Sequence, residues 1–115
     1  MATTAAMSGV NFAQQSAQTS GNGTVLSLPP SFRNHTWIIT GTGTITAGAV
    51  QIETNNTDPN DANTWAALGA ATTVVSGSDL IVQQTGIFAF VRARISVALT
   101  GGGTVTVNYF GAKTY

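Results

Sequence analysis

Charge is scarce in this chain: 7% of its residues are charged, and four Lys and Arg balance four Asp and Glu for a net charge of +0. An ordinary soluble domain carries about 25% charged residues. A surface with so little charge lacks the self-repulsion that keeps monomers apart, so it tends to associate with other surfaces. The alternative is that Thr, Asn, Gln and Ser supply solubility instead. We interpret the shortage as the mark of a surface that partners cover.

A basic stripe is also lacking, because the cations are limited to Arg33, Arg92, Arg94 and Lys113. Binding nucleic acid through its phosphates would need a cluster of such side chains. No stretch approaches the roughly 20 apolar residues of a membrane-spanning helix, and residues 1–23 lack the pattern of a signal peptide. We therefore expect synthesis in the cytoplasm, with no nucleic acid and no membrane as partners.

Cysteine is absent, and His35 is the single histidine. The absence of cysteine excludes a disulfide framework and thiolate metal sites. A serine nucleophile needs a base held beside it, and no Gly-x-Ser-x-Gly motif accompanies this histidine. We interpret His35 as a capped or exposed residue at a strand edge. The glycine-rich stretches do not link a strand to a helix and no lysine follows them, so no cofactor is expected either.

The few carboxylates do not form the pair of opposed groups that glycoside hydrolysis requires. Asp58 and Asp61 share one loop, and Glu53 is expected to pair with Arg92 or Arg94 across neighbouring strands. The same loop could offer oxygen ligands to calcium, but it lacks the glycine and the bidentate glutamate of an EF-hand. Turn formation by its Asn and Asp side chains is the default interpretation. We expect a protein that is not an enzyme and holds no metal.

Short runs of alternating apolar and polar residues, separated by turn residues, fill the chain from residue 24 onward. Such spacing, with turns about every 8 to 12 residues and about seven or eight strands, is typical of an all-β sandwich or barrel. The sequence therefore predicts one domain at residues 24–115, a jelly-roll-like sandwich of two antiparallel sheets. The candidate strands are 24–28, 35–40, 44–46 together with 49–54, 65–68, 72–75, 80–84, 87–97 and 104–110. The predicted core residues are Trp37, Val50, Ile52, Trp65 and Val91.

Residues 1–23 differ from the rest because Ala, Thr, Ser, Gln and Gly dominate them. We interpret this segment as an extended N-terminal arm, a kind of segment that commonly orders against a neighbour. Such an arm can add a strand to a neighbouring sheet. Val10 and Phe12 are its candidate partner-binding residues. The polar loop at residues 55–64 is a second candidate surface, with Asp58, Asn60 and Asp61 as its contact residues.

Trp37 and Trp65 allow an alternative function, because two exposed indole rings could form a platform for stacking sugars. Trp37 alternates with Ile39, and Trp65 is followed by Ala66 and Leu68. Both indoles are therefore interpreted as core residues.

Four stretches resemble the small β-sandwich virion proteins of tailed bacteriophages, in particular head decoration (cement) proteins and related head and tail accessory modules. These stretches are residues 37–42, 50–53, 63–69 and 90–95, with the sequences WIITGT, VQIE, NTWAALG and FVRARI. The resemblance covers roughly residues 36–112.

The resemblance implies a function and a location. Decoration proteins sit on the outside of a capsid, often as trimers where capsomers meet, and an arm spreads over the lattice. This chain is thus expected to bind the major capsid protein at the capsid surface of a virion and to form a homotrimer. Similar sandwiches in tail adhesins bind carbohydrate or receptors, which is the alternative function.

Overall fold

The computed structural model describes residues 9–113, which hold nine strands and a single turn of 3-10 helix at Ala62–Thr64. Two-residue periodicity in burial accompanies the long strands, as expected where one face packs against a core. The strands are β1 (Gly9–Gln18), β2 (Leu26–Ser27), β3 (Phe32–Thr42), β4 (Ala47–Asn55), β5 (Ala66–Ala67), β6 (Thr72–Thr73), β7 (Asp79–Thr85), β8 (Phe90–Thr100) and β9 (Thr104–Lys113).

The strands form two antiparallel sheets that pack face to face. The four-stranded sheet has the order β1-β9-β3-β7. The five-stranded sheet has the order β2-β8-β4-β5, and β6 also pairs with β4. This arrangement confirms the predicted all-β sandwich of two antiparallel sheets.

The inner faces of the two sheets form one hydrophobic core. Trp37, Val50, Ile52 and Val91 are buried there, as predicted. Burial of each large apolar side chain contributes about 1.5 to 3 kcal/mol. The other buried apolar residues are Leu28, Ile39, Val74, Ala93, Ile95, Leu99, Val105, Val107 and Tyr109.

Trp65 is not part of this core, so its predicted position is wrong. It lies half-buried, and the guanidinium of Arg92 lies over its ring, with Cζ 4.1 Å from the ring centroid. The indole Nε1 donates a hydrogen bond to the carbonyl of Pro59 at 3.2 Å. Arg92 alternates with the buried Val91 and Ala93 along β8, so the indole covers the outer face of the five-stranded sheet.

The segment that the sequence suggested as an arm differs from that expectation over residues 9–18. These residues form β1, which pairs with β9 of the same chain from Gly9 opposite Ala112 to Gln18 opposite Val105. Two register shifts, around Gln15, interrupt the ladder. The strand is therefore an edge of the sandwich, and residue 23 does not separate an arm from a domain. Residues 1–8 lie outside the described part of the chain.

Candidate interaction surfaces and the polar interior

A cross-strand ion-pair cluster occupies the outer face of the five-stranded sheet. Glu53 of β4 lies directly opposite Arg92 of β8. Its Oε1 accepts from Arg92 Nε at 2.8 Å, and its Oε2 accepts from Arg94 Nε at 3.2 Å. The predicted pairing is confirmed, and it involves both arginines. Because each carboxylate oxygen already accepts a hydrogen bond from an arginine, the cluster has the features of a structural ion pair that fixes the register of β4 and β8.

His35 is buried, with 1% of its surface exposed, so its predicted position at an exposed strand edge is wrong. The predicted strand began at this residue, whereas β3 begins at Phe32 and runs between β9 and β7. The alternation of β3 places His35 on the same inner face as Trp37 and Ile39. That shared parity was visible in the sequence and is the signal that could have located the histidine.

The protonation of His35 follows from its two hydrogen-bond partners. The carbonyl oxygen of Gly86 can only accept, so Nε2, 2.9 Å away, carries the proton and donates it. Burial lowers the pKa of the imidazole, which therefore stays neutral near pH 7. Nδ1 is then an acceptor for the hydroxyl of Tyr109 at 2.6 Å. Burial also raises the pKa of Tyr109 to about 12, which keeps this donor protonated.

Two consecutive glutamines in β1 form a buried polar connection that sequence reasoning missed. Gln14 Oε1 accepts from the indole Nε1 of Trp37 at 2.7 Å, and its Nε2 donates to the carbonyl of Val91 at 2.9 Å. Gln15 Nε2 donates to the carbonyl of Ala93 at 2.8 Å. Both amides thus cross from the four-stranded sheet to β8 of the other sheet. Nothing in the sequence distinguishes these glutamines from solvent-exposed ones.

Phe12 of β1 lines an apolar groove of ≈ 270 Å³ together with residues of β2 and the segment that follows it. The ring is 40% exposed, and it is one of the exposed large apolar side chains of the chain. Val10 is opposite Gly111 in the β1–β9 ladder, and its side chain lies outside the described residues. The groove is lined by Phe12, Leu26, Ser27, Leu28, Pro29 and Phe32.

The loop that was predicted as a contact surface is exposed, but its carboxylates already serve its own turns. Asp58 Oδ1 accepts from the backbone N–H of Asn60 at 3.0 Å, and Asp61 Oδ1 accepts from that of Asn63 at 2.9 Å. The side chain of the buried Asn55 donates to the carbonyl of Asp58 at 2.7 Å and anchors the loop. Within residues 9–113, no group of three or more His, Cys, Asp or Glu side chains is placed to hold a metal ion.

The structure brings the groove and the loop to the same end of the five-stranded sheet. Phe90, the first residue of β8, pairs with Ser27 on one side and with Asn55 on the other. Ala89 accepts a hydrogen bond from the N–H of Leu28 at 2.9 Å and donates one to Asn56 Oδ1 at 2.8 Å. We call this end, with the Phe12 groove and the loop at residues 55–64, the groove-and-loop end.

The outer face of the four-stranded sheet is nearly uncharged. Three rows of paired residues cross β9, β3 and β7 on this face, and Asp79 is the single charged side chain in them. Asp79 lies at the end of β7. Ile81 is 64% exposed and Phe110 is 40% exposed. The remaining positions carry Thr, Asn, Gln and the half-buried Ile38. From β9 through β3 to β7, the rows are Phe110–Thr36–Gln83, Asn108–Ile38–Ile81 and Thr106–Thr40–Asp79.

Comparison with known proteins gives a similarity of fold but no family. No family model and no curated protein matches the sequence. Across the described residues, no helix has the length and apolar character needed to cross a bilayer. The chain is an all-β sandwich of two antiparallel sheets.

One solved example of this fold is the SPBc2 prophage-derived protein YomS. The two chains superpose with a TM-score of 0.60 and are 19% identical. The match covers 91% of this chain and 93% of that chain. At this identity the likeness concerns the fold.

Proposed function

We propose that this protein is a structural virion protein that decorates a bacteriophage capsid and stabilises it by binding the outer surface of the major capsid protein lattice. The observation that carries the proposal is the exposed apolar groove at Phe12, which lies beside a polar loop on a chain with very little charge. The similarity of the fold to a prophage-derived protein supports a phage setting.

The groove-and-loop end has the features of a protein-binding surface. Interfaces combine an apolar centre with a polar rim that stays near water. Here the groove supplies the apolar centre, and the loop with Asp58, Asn60 and Asp61 supplies the rim. The loop is held in one shape by Asn55, so little ordering entropy is lost when a partner binds it.

Decoration of a lattice does not require a strong single contact. Copies that also contact one another bind a repeating surface with a high effective concentration, so modest contacts add up to stable attachment. A protein with net charge +0 gains little from electrostatic steering, and packing must supply its affinity.

The test compares particles of the encoding phage with and without this protein. Particles that lack it should release their genome at a lower temperature, and the purified protein added back should co-sediment with them and restore heat resistance. Equal heat resistance of the two kinds of particle would rule out the capsid-stabilising role.

Phe12 and Phe110 provide a matched pair of variants, because both rings are 40% exposed and they lie on different surfaces. Phe12→Ala should weaken binding to the particle about tenfold or more, the usual cost of truncating an aromatic anchor. Phe110→Ala, on the outer face of the four-stranded sheet, should bind like the wild type. Equal losses in both variants would show that the groove is not the contact.

The second candidate function is a carbohydrate- or receptor-binding module of a phage tail or adhesin. The position of Trp65 favours it, since this indole is half-buried on the outer face of a sheet and not in the core. Trp37 is fully buried and offers no ring face to a ligand. A glycan array with the wild type and Trp65→Ala separates this candidate from the first: a glycan bound only by the wild type supports it.

A further inference from the structure

The edges of the two sheets differ in how well they are protected against pairing with another chain. An exposed edge strand carries unpaired backbone groups, and proteins blunt such edges with short strands, proline and bulges. β2, β5 and β6 have two residues each, and Pro29 and Pro30 closely follow β2. β1 is interrupted by two register shifts, and its Ala17 has a positive φ of 50°. β1, β2, β5 and β6 thus each have a feature that discourages pairing with another chain.

β7 has none of these protective features. It has seven residues, and its ladder with β3 runs from Asp79 to Thr85 without a register shift. It contains no proline, and its single charge is Asp79 at one end. Within the described residues, the order of the four-stranded sheet ends at this strand. β7 is therefore a long, regular and nearly uncharged edge.

The hydrogen bonds of the ladder show which backbone groups of β7 face outward. The N–H of Gly86 donates to the carbonyl of Arg33 at 2.9 Å, so these two residues form a hydrogen-bonded pair. Hydrogen-bonded pairs alternate with non-bonded pairs along an antiparallel ladder. Leu80, Val82 and Gln84 thus bond to β3. The residues that direct their N–H and C=O groups away from the sheet are Asp79, Ile81, Gln83 and Thr85.

We propose that two copies of this chain associate through antiparallel pairing of their β7 strands, with a twofold axis at Val82. The two four-stranded sheets then form one continuous sheet. The outward groups of Ile81 bond to those of Gln83 in the second copy, and those of Asp79 bond to those of Thr85. The proposal does not rest on the capsid role, and a twofold pair differs from the threefold assembly that the resemblance implies.

The sequence of β7 is compatible with a second copy of itself. In this register each Asp79 faces Thr85 of the second copy, and the two Asp79 side chains lie at opposite ends, so like charges are not opposed. Ile81 gains Ile81 of the second copy as a diagonal neighbour, about 7 to 8 Å away. Pairing thereby covers the large apolar side chain with the greatest exposed fraction, 64%, among the described residues.

Light scattering and sedimentation of the whole chain across a wide range of concentration test the proposal. The wild type should reach twice the mass of one chain. Gln83→Pro removes an outward N–H that the sheet itself does not use, so the fold should persist while the dimer weakens tenfold or more, about 1.4 kcal/mol. The matched control Gln83→Ala keeps the N–H and should remain a dimer.

Hydrogen exchange gives a second readout on the same strand. The outward N–H of Ile81 should exchange slowly in the wild type and on the order of tenfold faster in Gln83→Pro. If the proline variant does not fold, Ile81→Lys serves in its place, because that side chain is largely exposed and a lysine discourages edge pairing. A wild type of single-chain or threefold mass, or a dimer that survives both variants, overturns the proposal.

Discussion

At the scale of one residue, burial determines the protonation state of His35, the single histidine. His35 has a neutral ring that donates from Nε2 to Gly86 and accepts at Nδ1 from Tyr109. Gly111 lies opposite His35 in the ladder, and a methyl group there would collide with the Tyr109 hydroxyl. Glycine at this position leaves the space in which the tyrosine reaches the histidine.

The lowered pKa of His35 predicts a pH-dependent stability. Above its ordinary value of 6.5 the imidazole is neutral in both the folded and the unfolded chain. As the pH falls below 6.5, the unfolded chain binds a proton that the buried ring does not, so the free energy of unfolding decreases. The slope cannot exceed about 1.4 kcal/mol per pH unit from this group.

Urea denaturation at several pH values measures this effect. His35→Phe should be less stable overall, because it leaves the Tyr109 hydroxyl without its acceptor. Its stability should nevertheless fall less than that of the wild type between about pH 7 and 5, because the variant has no imidazole that gains a proton on unfolding. A variant with the same slope as the wild type would show that another group is responsible.

At the scale of an element, β1 is the strand whose role depended most on tertiary contacts. The candidate strands of the sequence overlap all eight of the other strands, and the longer ones show alternation because each buries one face. β1 has no such pattern, since its bulges turn the adjacent Gln14 and Gln15 into the interior together. Its anchors are amide hydrogen bonds, which leave no apolar period in the sequence.

Gln14→Ala tests whether β1 belongs to the sandwich. The substitution leaves Trp37 Nε1, the carbonyl of Val91 and the carbonyl of Thr24 without their partner. The free energy of unfolding of this variant should be about 1 to 3 kcal/mol lower than that of the wild type. Thermal or urea denaturation measures the change.

Gln18→Ala is the matched control, because Gln18 is exposed and its amide donates to the nearby carbonyl of Ser16. Its effect should stay within about 0.5 kcal/mol. Equal effects of the two substitutions would contradict a structural role for the buried amide.

At the scale of the whole molecule, the shortage of charge makes packing and hydrogen bonds the main stabilising interactions. The ion pairs of Glu53 with Arg92 and Arg94 join strands locally. The net charge of +0 leaves little overall repulsion for salt to screen.

We therefore expect sodium chloride to change the thermal midpoint of the folded chain by only a few degrees between low and physiological ionic strength. Differential scanning calorimetry at several salt concentrations measures this. A strong dependence on salt would show that charge interactions outside the Glu53 cluster contribute substantially.

The sequence by itself determined the fold class, four residues of the core and the Glu53 pairing. Each of these depends on local alternation or on opposite charges on neighbouring strands, and both leave a pattern along the chain. The positions of Trp65 and β1 and the hydrogen-bond partners of His35 were decided only by the tertiary structure. An indole beside an arginine, a histidine on a central strand and two inward glutamines depend on which strands become neighbours, and that choice is made by contacts between residues far apart in the sequence.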